Sequence, residues 1–164
     1  MPITIRSASA ADSPHVSAIL TETAQWLAQS GQVMWRDSEL LPDRLAPDVT
    51  EGLFFLAEQD GVPAGTLKFQ LEDPLFWPDQ PTGQAAYVHR LAVRRQFSGG
   101  GISQALLTWA VDRTRSLNRR HLRLDCEASR PKLRAIYENF GFLHHSDRQV
   151  GPYYVSRYEY DTGR

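Results

Sequence analysis

The pattern of apolar and polar positions predicts a chain in which β-strands and α-helices follow one another. Short runs that alternate with the two-residue period of a strand, or are apolar throughout, are bounded by turn residues. These runs occupy residues 3–6, 53–58, 65–71, 87–93, 122–126, the segment that Phe142 begins, and residues 153–160. The dipeptide Asp60-Gly61, between the second and third runs, is typical of a hairpin turn.

Four segments show the helical period instead. The first begins at residues 12–14, where a capping aspartate precedes a proline, and ends at residues 30–31. A short second helix is expected within residues 39–45. The third carries an apolar stripe formed by Ile102, Ala105, Leu106, Trp109 and Ala110. The fourth begins at residues 129–131 and stops at Gly141, with an inner face predicted to contain Leu133, Ile136, Tyr137 and Phe140.

The order of these elements predicts the fold class. The strand–turn–helix–strand unit at residues 87–126 is a crossover, so its two strands should be parallel neighbours. The strands joined at Asp60-Gly61 should be antiparallel. We therefore expect an α/β (α+β) fold with a mixed, mostly antiparallel sheet of about six to seven strands and helices on both faces.

Composition and charge narrow the class of protein. With 41% hydrophobic and 23% charged residues, the 164-residue chain has the composition of one globular domain, expected to span residues 1–164. Its net charge of −1 gives no reason to expect a nucleic-acid partner. Cys126 has no second cysteine to pair with, and no run has the character of a signal peptide or membrane span. We expect a cytoplasmic protein that needs neither nucleic acid nor membrane.

The glycine-rich turn before the third helix predicts an anion site. Glycines let the backbone approach a ligand closely, and the first turn of a helix offers unpaired N–H groups at the positive end of its dipole. Such a site most often holds phosphate. The residues concerned are Ser98, Gly99, Gly100, Gly101, Ile102 and Ser103.

Three other glycine motifs fit this turn less well. A P-loop requires Gly-Lys-Ser/Thr, and no lysine follows Gly101. A dinucleotide fingerprint requires a third glycine where Gln104 stands. A nucleophile elbow would place Ser103 at a strained turn, whereas the pattern puts it inside a helix.

Two segments together resemble the GNAT superfamily of N-acetyltransferases. Leu91-Ala92-Val93, a spacer, residues 98–103 and then Ala105-Leu106-Leu107 are similar to the acetyl-CoA signature of that family. Residues 135–142 resemble its helix-ending Tyr-Glu-x-x-Gly-Phe motif. The chain departs from the usual pattern at Ser98, at Ser103, and at Arg130, where many members have asparagine.

The resemblance implies direct transfer of an acetyl group from acetyl-CoA to an amine. It also implies an acyl-CoA N-acyltransferase fold, in which a bulged strand splays from its parallel neighbour to admit the pantetheine arm. The Leu91 N–H would then bind the thioester carbonyl, Val93 the pantetheine amide, with Ala92 between them. Residues 98–103 would hold the pyrophosphate, Arg130 would lie beside the cofactor, and Tyr137 would be the general acid.

The general base is left open by the sequence. His89 lies in the strand before the loop and has a suitable intrinsic pKa. Glu58, Glu72 and Asp125 are alternatives, the two glutamates acting through water. No metal is expected, because adjacent strand residues such as His144-His145 point to opposite faces.

The acceptor is expected to be a primary amine of a small molecule. Two alternatives stay open: a non-catalytic acyl-CoA-binding module, and an enzyme that acetylates a protein or peptide amine. Family members often pair through their last strands, so the resemblance allows a homodimer. Candidate lining residues for the acceptor are Trp26, Trp35, Arg36, Phe76, Trp77, Tyr153 and Tyr154.

Overall fold

The computed structural model describes residues 2–32 and 35–163. Seven strands and four helices follow one another in the predicted order. They are β1 (Ile3–Ser7), α1 (Ser13–Gln29), α2 (Pro42–Thr50), β2 (Phe54–Gln59), β3 (Val62–Gln70), β4 (Ala85–Val93), α3 (Ile102–Ser116), β5 (His121–Glu127), α4 (Pro131–Phe140), β6 (Leu143–Val150) and β7 (Tyr153–Asp161). No helix in the described ranges is both long enough and apolar enough to cross a membrane.

The strands form one mixed sheet in the order β1-β2-β3-β4-β5-β7-β6. The pairs β1–β2, β2–β3, β5–β7 and β6–β7 are antiparallel. The pair β4–β5 is parallel, and its register joins residues 85–87 to residues 121–123. The crossover prediction and the mixed-sheet fold class are therefore confirmed. Parallel pairing over only the first three residues is what a splayed strand pair requires.

The chain divides into two compact units, so the single domain expected over residues 1–164 stays a prediction. The first unit contains Met1–Lys68 and Arg90–Leu107. The second contains Phe69–His89 and Thr108–Arg164.

The core of the first unit lies where α1 and α2 pack against strand residues. Its buried members are Ala8, Val16, Ile19, Leu20, Ala24, Leu40, Leu45, Val49, Phe54, Leu56 and Ala92. Arg6 donates to both carboxylate oxygens of Asp12, at 2.7 and 3.0 Å, and so connects β1 to the start of α1. Gly65 on β3 permits a close approach, because a Cβ there would lie 2.8 Å from Ile102 Cγ2 and 3.0 Å from the Ala92 carbonyl. The absence of a side chain at Gly65 lets the first turn of α3 pack directly against β3.

The second unit buries charged side chains in its interior. Arg123 donates to Glu159 Oε2 at 2.7 Å and to the Tyr87 hydroxyl at 3.0 Å. Arg157 donates to both carboxylate oxygens of Asp79, at 2.7 and 3.1 Å. Both guanidinium groups contact the Trp77 ring. These partners satisfy charges that would otherwise be costly to bury.

Three details of the predicted elements were wrong. The second helix is Pro42–Thr50 after a 3₁₀ turn at Asp37–Leu40, because buried Leu45 and Val49 extend it past Pro47. β3 begins at Val62 rather than 65, since the register shift opposite residues 57–58 accommodates a proline that has no N–H. Ile136 is 48% exposed and does not belong to the inner face of α4.

Candidate active site

The glycine-rich loop leaves β4 through a 3₁₀ turn at Arg95–Phe97 and enters α3 at Ile102. Gly99 and Gly101 have φ values of 80° and 85°, in the left-handed region that glycine adopts without steric cost. A Cβ atom at either position would have nothing within 4 Å of it. The loop glycines are exposed, so their backbone is accessible to a ligand.

Backbone hydrogen bonds divide the predicted anion-binding residues into two groups. The Ser98 N–H donates to the Arg95 carbonyl and the Gly100 N–H to the Phe97 carbonyl, each at 3.1 Å. The N–H groups of the remaining four residues have no acceptor in the described part of the chain; these are Gly99, Gly101, Ile102 and Ser103. The last two lie in the first turn of α3, where N–H groups lack helical partners. The structure thus leaves four amides, rather than six, for an anion.

The start of the loop is held by contacts within the first unit. The Arg94 N–H donates to the Ala64 carbonyl, and the Arg95 N–H donates to Glu22 Oε2, both at 2.8 Å. The Arg95 guanidinium lies 3.8 Å from the Trp26 ring centroid. Trp26, a candidate for the acceptor pocket, therefore supports the loop.

The end of β4 contains a backbone irregularity of the kind that the family resemblance implies. Arg90 has a φ of 57°, unusual for a residue with a side chain. Ala92, two residues later, is buried, and Leu91 and Val93 are half-buried. The thioester and pantetheine roles of these three residues stay predictions.

His89 belongs to a cluster with two carboxylates in the second unit. Its Nε2 atom lies 2.8 Å from Asp73 Oδ2, and the Asp73 side chain is only 6% exposed. Asp73 Oδ1 also accepts the Phe76 N–H at 3.1 Å, which fixes the carboxylate. The last register pair of β4 and β5 is Tyr87 with Arg123, and His89 and Asp125 each lie two residues beyond it. Asp125 completes the cluster.

The environment of Asp125 perturbs its ionisation. Burial raises the pKa of Asp125 from an ordinary 3.8 to about 6; His89 opposes the shift and Asp73 adds to it. Asp125 Oδ2 is buried and has no hydrogen-bond partner among the described residues. Perturbed carboxylates of this kind occur at functional sites more often than elsewhere.

The same cluster is where the described residues could contact a metal ion. One potential ligand atom from each of Asp73, His89 and Asp125 lies within 4.8 Å of the others. The 2.8 Å hydrogen bond already satisfies Asp73 and the His89 Nε2 atom without an ion. Independence from metal stays a prediction.

Tyr137 lies on the inner face of α4 and is buried. Its ring centroid is 5.9 Å from Phe142 and 6.3 Å from Tyr158. Burial raises the pKa of the Tyr137 hydroxyl, with further contributions from Cys126 and Asp125, so the group is a neutral O–H donor. Burial likewise raises the pKa of Cys126, to about 12, which makes a thiolate nucleophile unfavourable there.

Arg130 caps the start of α4 through its backbone. Its N–H donates to the Glu127 carbonyl at 3.2 Å, and its carbonyl accepts the Arg134 N–H at 3.0 Å. The positive charge of Arg130 lowers the pKa of Tyr137 slightly against the dominant effect of burial. The position of Arg130 beside the cofactor stays a prediction.

The other candidate bases have partners that occupy them. Glu58 accepts from Arg6 at 3.1 Å, and Glu72 accepts from Arg119 at 3.4 Å. The adjacent pair His144 and His145, considered as metal ligands rather than as bases, contact Asp147 and Ser146 respectively.

Asp73, missed in the sequence, supplies the hydrogen bond that distinguishes His89. It lies in the proline-containing loop that follows β3, where the sequence shows no periodicity. The only sequence signal for it is that an acidic side chain stands at this position. Of the aromatic candidates, Trp77 is a core residue, Phe76 lies 5.9 Å from His89, and Trp35 lies against Arg90.

A mixed sheet with a short parallel β4–β5 pairing, and a glycine loop opening into α3, define an acyl-CoA N-acyltransferase fold. The sequence profile of the Acetyltransferase (GNAT) family matches residues 20–142, so the chain belongs to this family.

Individual relatives agree with this assignment. The chain is 30% identical over 139 residues to the uncharacterized N-acetyltransferase YesJ of Bacillus subtilis (strain 168), covering 80% of this chain and 76% of YesJ. A GNAT-family acetyltransferase structure from Listeria monocytogenes 4b F2365 is 26% identical, with a TM-score of 0.77 over 96% of this chain and 95% of that one. The fold also matches YncA, a putative acetyltransferase from Salmonella typhimurium solved with acetyl-CoA. The identity is 15% and the TM-score 0.75, over 100% of this chain and 96% of YncA.

The raised pKa of Asp125 predicts a pH-dependent gain of stability in Asp125→Asn. A carboxyl with a higher pKa in the folded chain favours folding below the unfolded pKa, and this contribution is lost as pH rises through about 6. Asparagine has no charge to bury. The variant should therefore raise the free energy of unfolding at about pH 8 by up to about 3 kcal/mol, and change it little near pH 3.5.

Urea denaturation at several pH values measures this effect. Asp147→Asn is the matched control, because hydrogen bonds from Ser156 and His144 lower the pKa of Asp147 and the sign should reverse. Equal destabilisation by Asp125→Asn at both pH values would show that the Asp125 charge is fully compensated.

Proposed function

We propose that this protein is an N-acetyltransferase that moves an acetyl group from acetyl-CoA directly to a primary amine of a small molecule. The observation that carries the proposal is the group of four N–H groups, at and just before the start of α3, that have no acceptor among the described residues. Membership of the GNAT family and the shared fold with a protein solved with acetyl-CoA support it.

The loop amides are assigned to the coenzyme A diphosphate. Four N–H groups and the positive end of the α3 dipole are suited to a dianionic group that needs several donors. The Leu91 N–H is assigned to the thioester carbonyl, where negative charge develops during attack, and Val93 to the pantetheine amide. Ala92 lies between them, and Ser98 and Gly100 shape the loop through their internal hydrogen bonds.

His89 is assigned the role of general base. An alkyl amine has a pKa near ~10.4 and must lose a proton before it can attack. With its Nε2–H donated to Asp73, His89 keeps Nδ1 unprotonated and able to accept that proton. Asp73 is a positioning residue, since it selects the tautomer and stabilises the imidazolium that forms.

Tyr137 is assigned the role of general acid. When the amine nitrogen bonds to the acetyl carbonyl carbon, the carbon–sulfur bond breaks and coenzyme A leaves as a thiolate. The Tyr137 hydroxyl, kept protonated by the burial that raises its pKa, can donate a proton to that sulfur. The aromatic neighbours of the ring hold it in one orientation.

The Asp73–His89 hydrogen bond favours an enzyme over a non-catalytic acyl-CoA-binding module. A histidine oriented by a nearly buried carboxylate is the arrangement that proton transfer requires. Transfer to a protein or peptide amine is the second candidate acceptor class. Cytoplasmic location and a homodimer stay predictions.

Gly101→Glu tests the anion site. The new carboxylate would repel the diphosphate, and the left-handed backbone at Gly101 would be strained by a side chain. Calorimetric titration with coenzyme A should show affinity weakened at least about tenfold, or about 1.4 kcal/mol. Gly61→Glu is the matched control, since Gly61 has a φ of 78° in the β2–β3 turn with nothing within 4 Å of a Cβ. Unchanged affinity in Gly101→Glu would remove the loop from the binding site.

Two variants test the base. His89→Gln should lower kcat by about 100-fold in a thiol-release assay and abolish the acidic limb of the pH–rate profile. Asp73→Asn should lower kcat by about 10-fold with little change in KM, because the His89 ring is no longer fixed in the orientation and tautomer that proton transfer needs. The assay is run with acetyl-CoA over amines, amino acids, polyamines and peptides.

The control for these variants is His144→Gln on β6, which removes a histidine paired with an aspartate at the same 2.8 Å distance. It should leave kcat and the profile unchanged. An unaltered acidic limb in His89→Gln would assign the base elsewhere, and loss of turnover after chelator treatment would point to a metal.

Tyr137→Phe tests the acid. The ring and its packing are retained while the proton donor is lost, so kcat should fall about 10-fold or more with unchanged coenzyme A affinity. Steady-state kinetics and calorimetry on the same preparation separate the two effects. Tyr158→Phe, which removes the hydroxyl bonded to Glu138, is the control for loss of a phenol from this cluster. Equal rates for wild type and Tyr137→Phe would exclude the hydroxyl from the reaction.

A further inference from the structure

The first unit contains a polar cavity that none of the proposed catalytic or cofactor-binding residues lines. Its volume is about 330 Å³, at the lower end of the range for small-molecule sites. Three cations, two carboxylates and two apolar side chains line it: Arg44, Lys68, Arg90, Glu39, Asp48, Leu45 and Phe54. The cavity thus carries one unmatched positive charge beside an apolar wall.

Arg90 is directed into this environment by the backbone irregularity in β4. A left-handed conformation costs a residue with a side chain roughly 1–2 kcal/mol, and such strain is concentrated at functional sites. The guanidinium lies 5.1 Å from the Trp35 ring centroid, and its Nη2 atom donates to Glu39 Oε2 at 3.2 Å. Stacking and one ion pair hold the group in place while using few of its five donors.

The guanidinium has unused hydrogen-bonding capacity. Arg90 Nη1 is buried and has no partner within residues 2–32 and 35–163, which is costly for a charged donor. Lys68, by contrast, is matched by Asp48 at 2.8 Å. With both carboxylates paired, the excess positive charge is that of exposed Arg44, whereas the unsatisfied buried donor belongs to Arg90.

We infer that this cavity binds the carboxylate of the acceptor, so that the acceptor is an amine with a carboxylate group, such as an amino acid. This inference rests on the proposed acetyltransferase function. A planar guanidinium matches a carboxylate with two parallel hydrogen bonds, and a monoanion neutralises the single excess charge. Leu45 and Phe54 supply apolar contact for the remainder of a small acceptor.

Matched acceptor pairs test the inference during turnover. The kcat/KM for L-alanine, L-leucine, L-phenylalanine and L-glutamate is compared with that for each α-amide in the thiol-release assay. For at least one pair, the kcat/KM of the free acid should exceed that of the amide about tenfold or more, as expected when a hydrogen bond to a charged group is lost. Arg90→Gln should bring that ratio close to one by raising the KM of the acid alone.

Direct binding provides a readout that does not need turnover. The N-acetyl amino acids and their amides, which are product analogues, are titrated into wild-type and variant protein by calorimetry in the presence of coenzyme A. Arg90→Gln should weaken the affinity for the N-acetyl amino acid about tenfold or more and leave the affinity for the amide unchanged. Glu39→Gln should strengthen the affinity for the N-acetyl amino acid about threefold or more, because the carboxylate that competes for Arg90 is removed.

Two further variants control for folding and for bulk charge. Arg90→Gln combined with Glu39→Gln removes the ion pair without leaving an unpaired charge, and should still bind the acid weakly. Arg148→Gln on β6, paired only at 3.7 Å with Asp79, removes one positive charge outside the cavity and should change nothing.

The outcomes separate the two proposals. Equal use of acid and amide by wild type, or an unchanged preference in Arg90→Gln, overturns the carboxylate site while leaving the acetyltransferase proposal intact. Arg90-dependent binding of N-acetyl amino acids with no thiol release on any amine supports the carboxylate site and overturns the acetyltransferase. Acetylation of other amines with no binding of any N-acetyl amino acid overturns the carboxylate site alone.

Discussion

The proposed chemistry depends on backbone N–H groups at the start of α3 that find no acceptor in the part of the chain that the structure describes. A helix cannot satisfy its first amides by itself, and no acceptor among the described residues caps the N–H groups of Gly99, Gly101, Ile102 and Ser103. Close packing of Ile102 and Leu106 against Gly65 anchors that helix end on β3. The donors are therefore held in place before any ligand arrives, which lowers the ordering cost of binding an anion.

In the second unit, desolvation of buried groups changes their pKa values. Burial raises the pKa of Asp125 and of Tyr137, so one group titrates near neutrality and the other keeps its proton. Asp73 offsets the cost for His89 by accepting its hydrogen bond. Of the two groups whose pKa burial raises, only Tyr137 has a role in the proposed mechanism, as the acid, and burial is what keeps its proton in place.

Most of the fold was predictable because its signals are local. Apolar periodicity located all seven strands and three of the four helices closely, and Asp60-Gly61 identified the hairpin. The second helix was misplaced because its extent depends on the tertiary packing of Leu45 and Val49, which carries the helix past Pro47 and has no local signal. Ile136 was assigned inward because helical spacing alone does not say how wide the buried face is.

The sequence by itself determined the strand–glycine loop–helix unit, the element order and the family, because each depends on residues that are neighbours along the chain. Tertiary structure alone decided that the Ser98 and Gly100 N–H groups bond within the loop and that Asp73 contacts His89. It also decided that Arg90, beside Glu39, has a donor with no partner among the described residues. Each of these facts requires knowing which distant groups meet and which donors stay unpaired. Hydrogen bonding and burial are properties of the packed chain, and periodicity does not encode them.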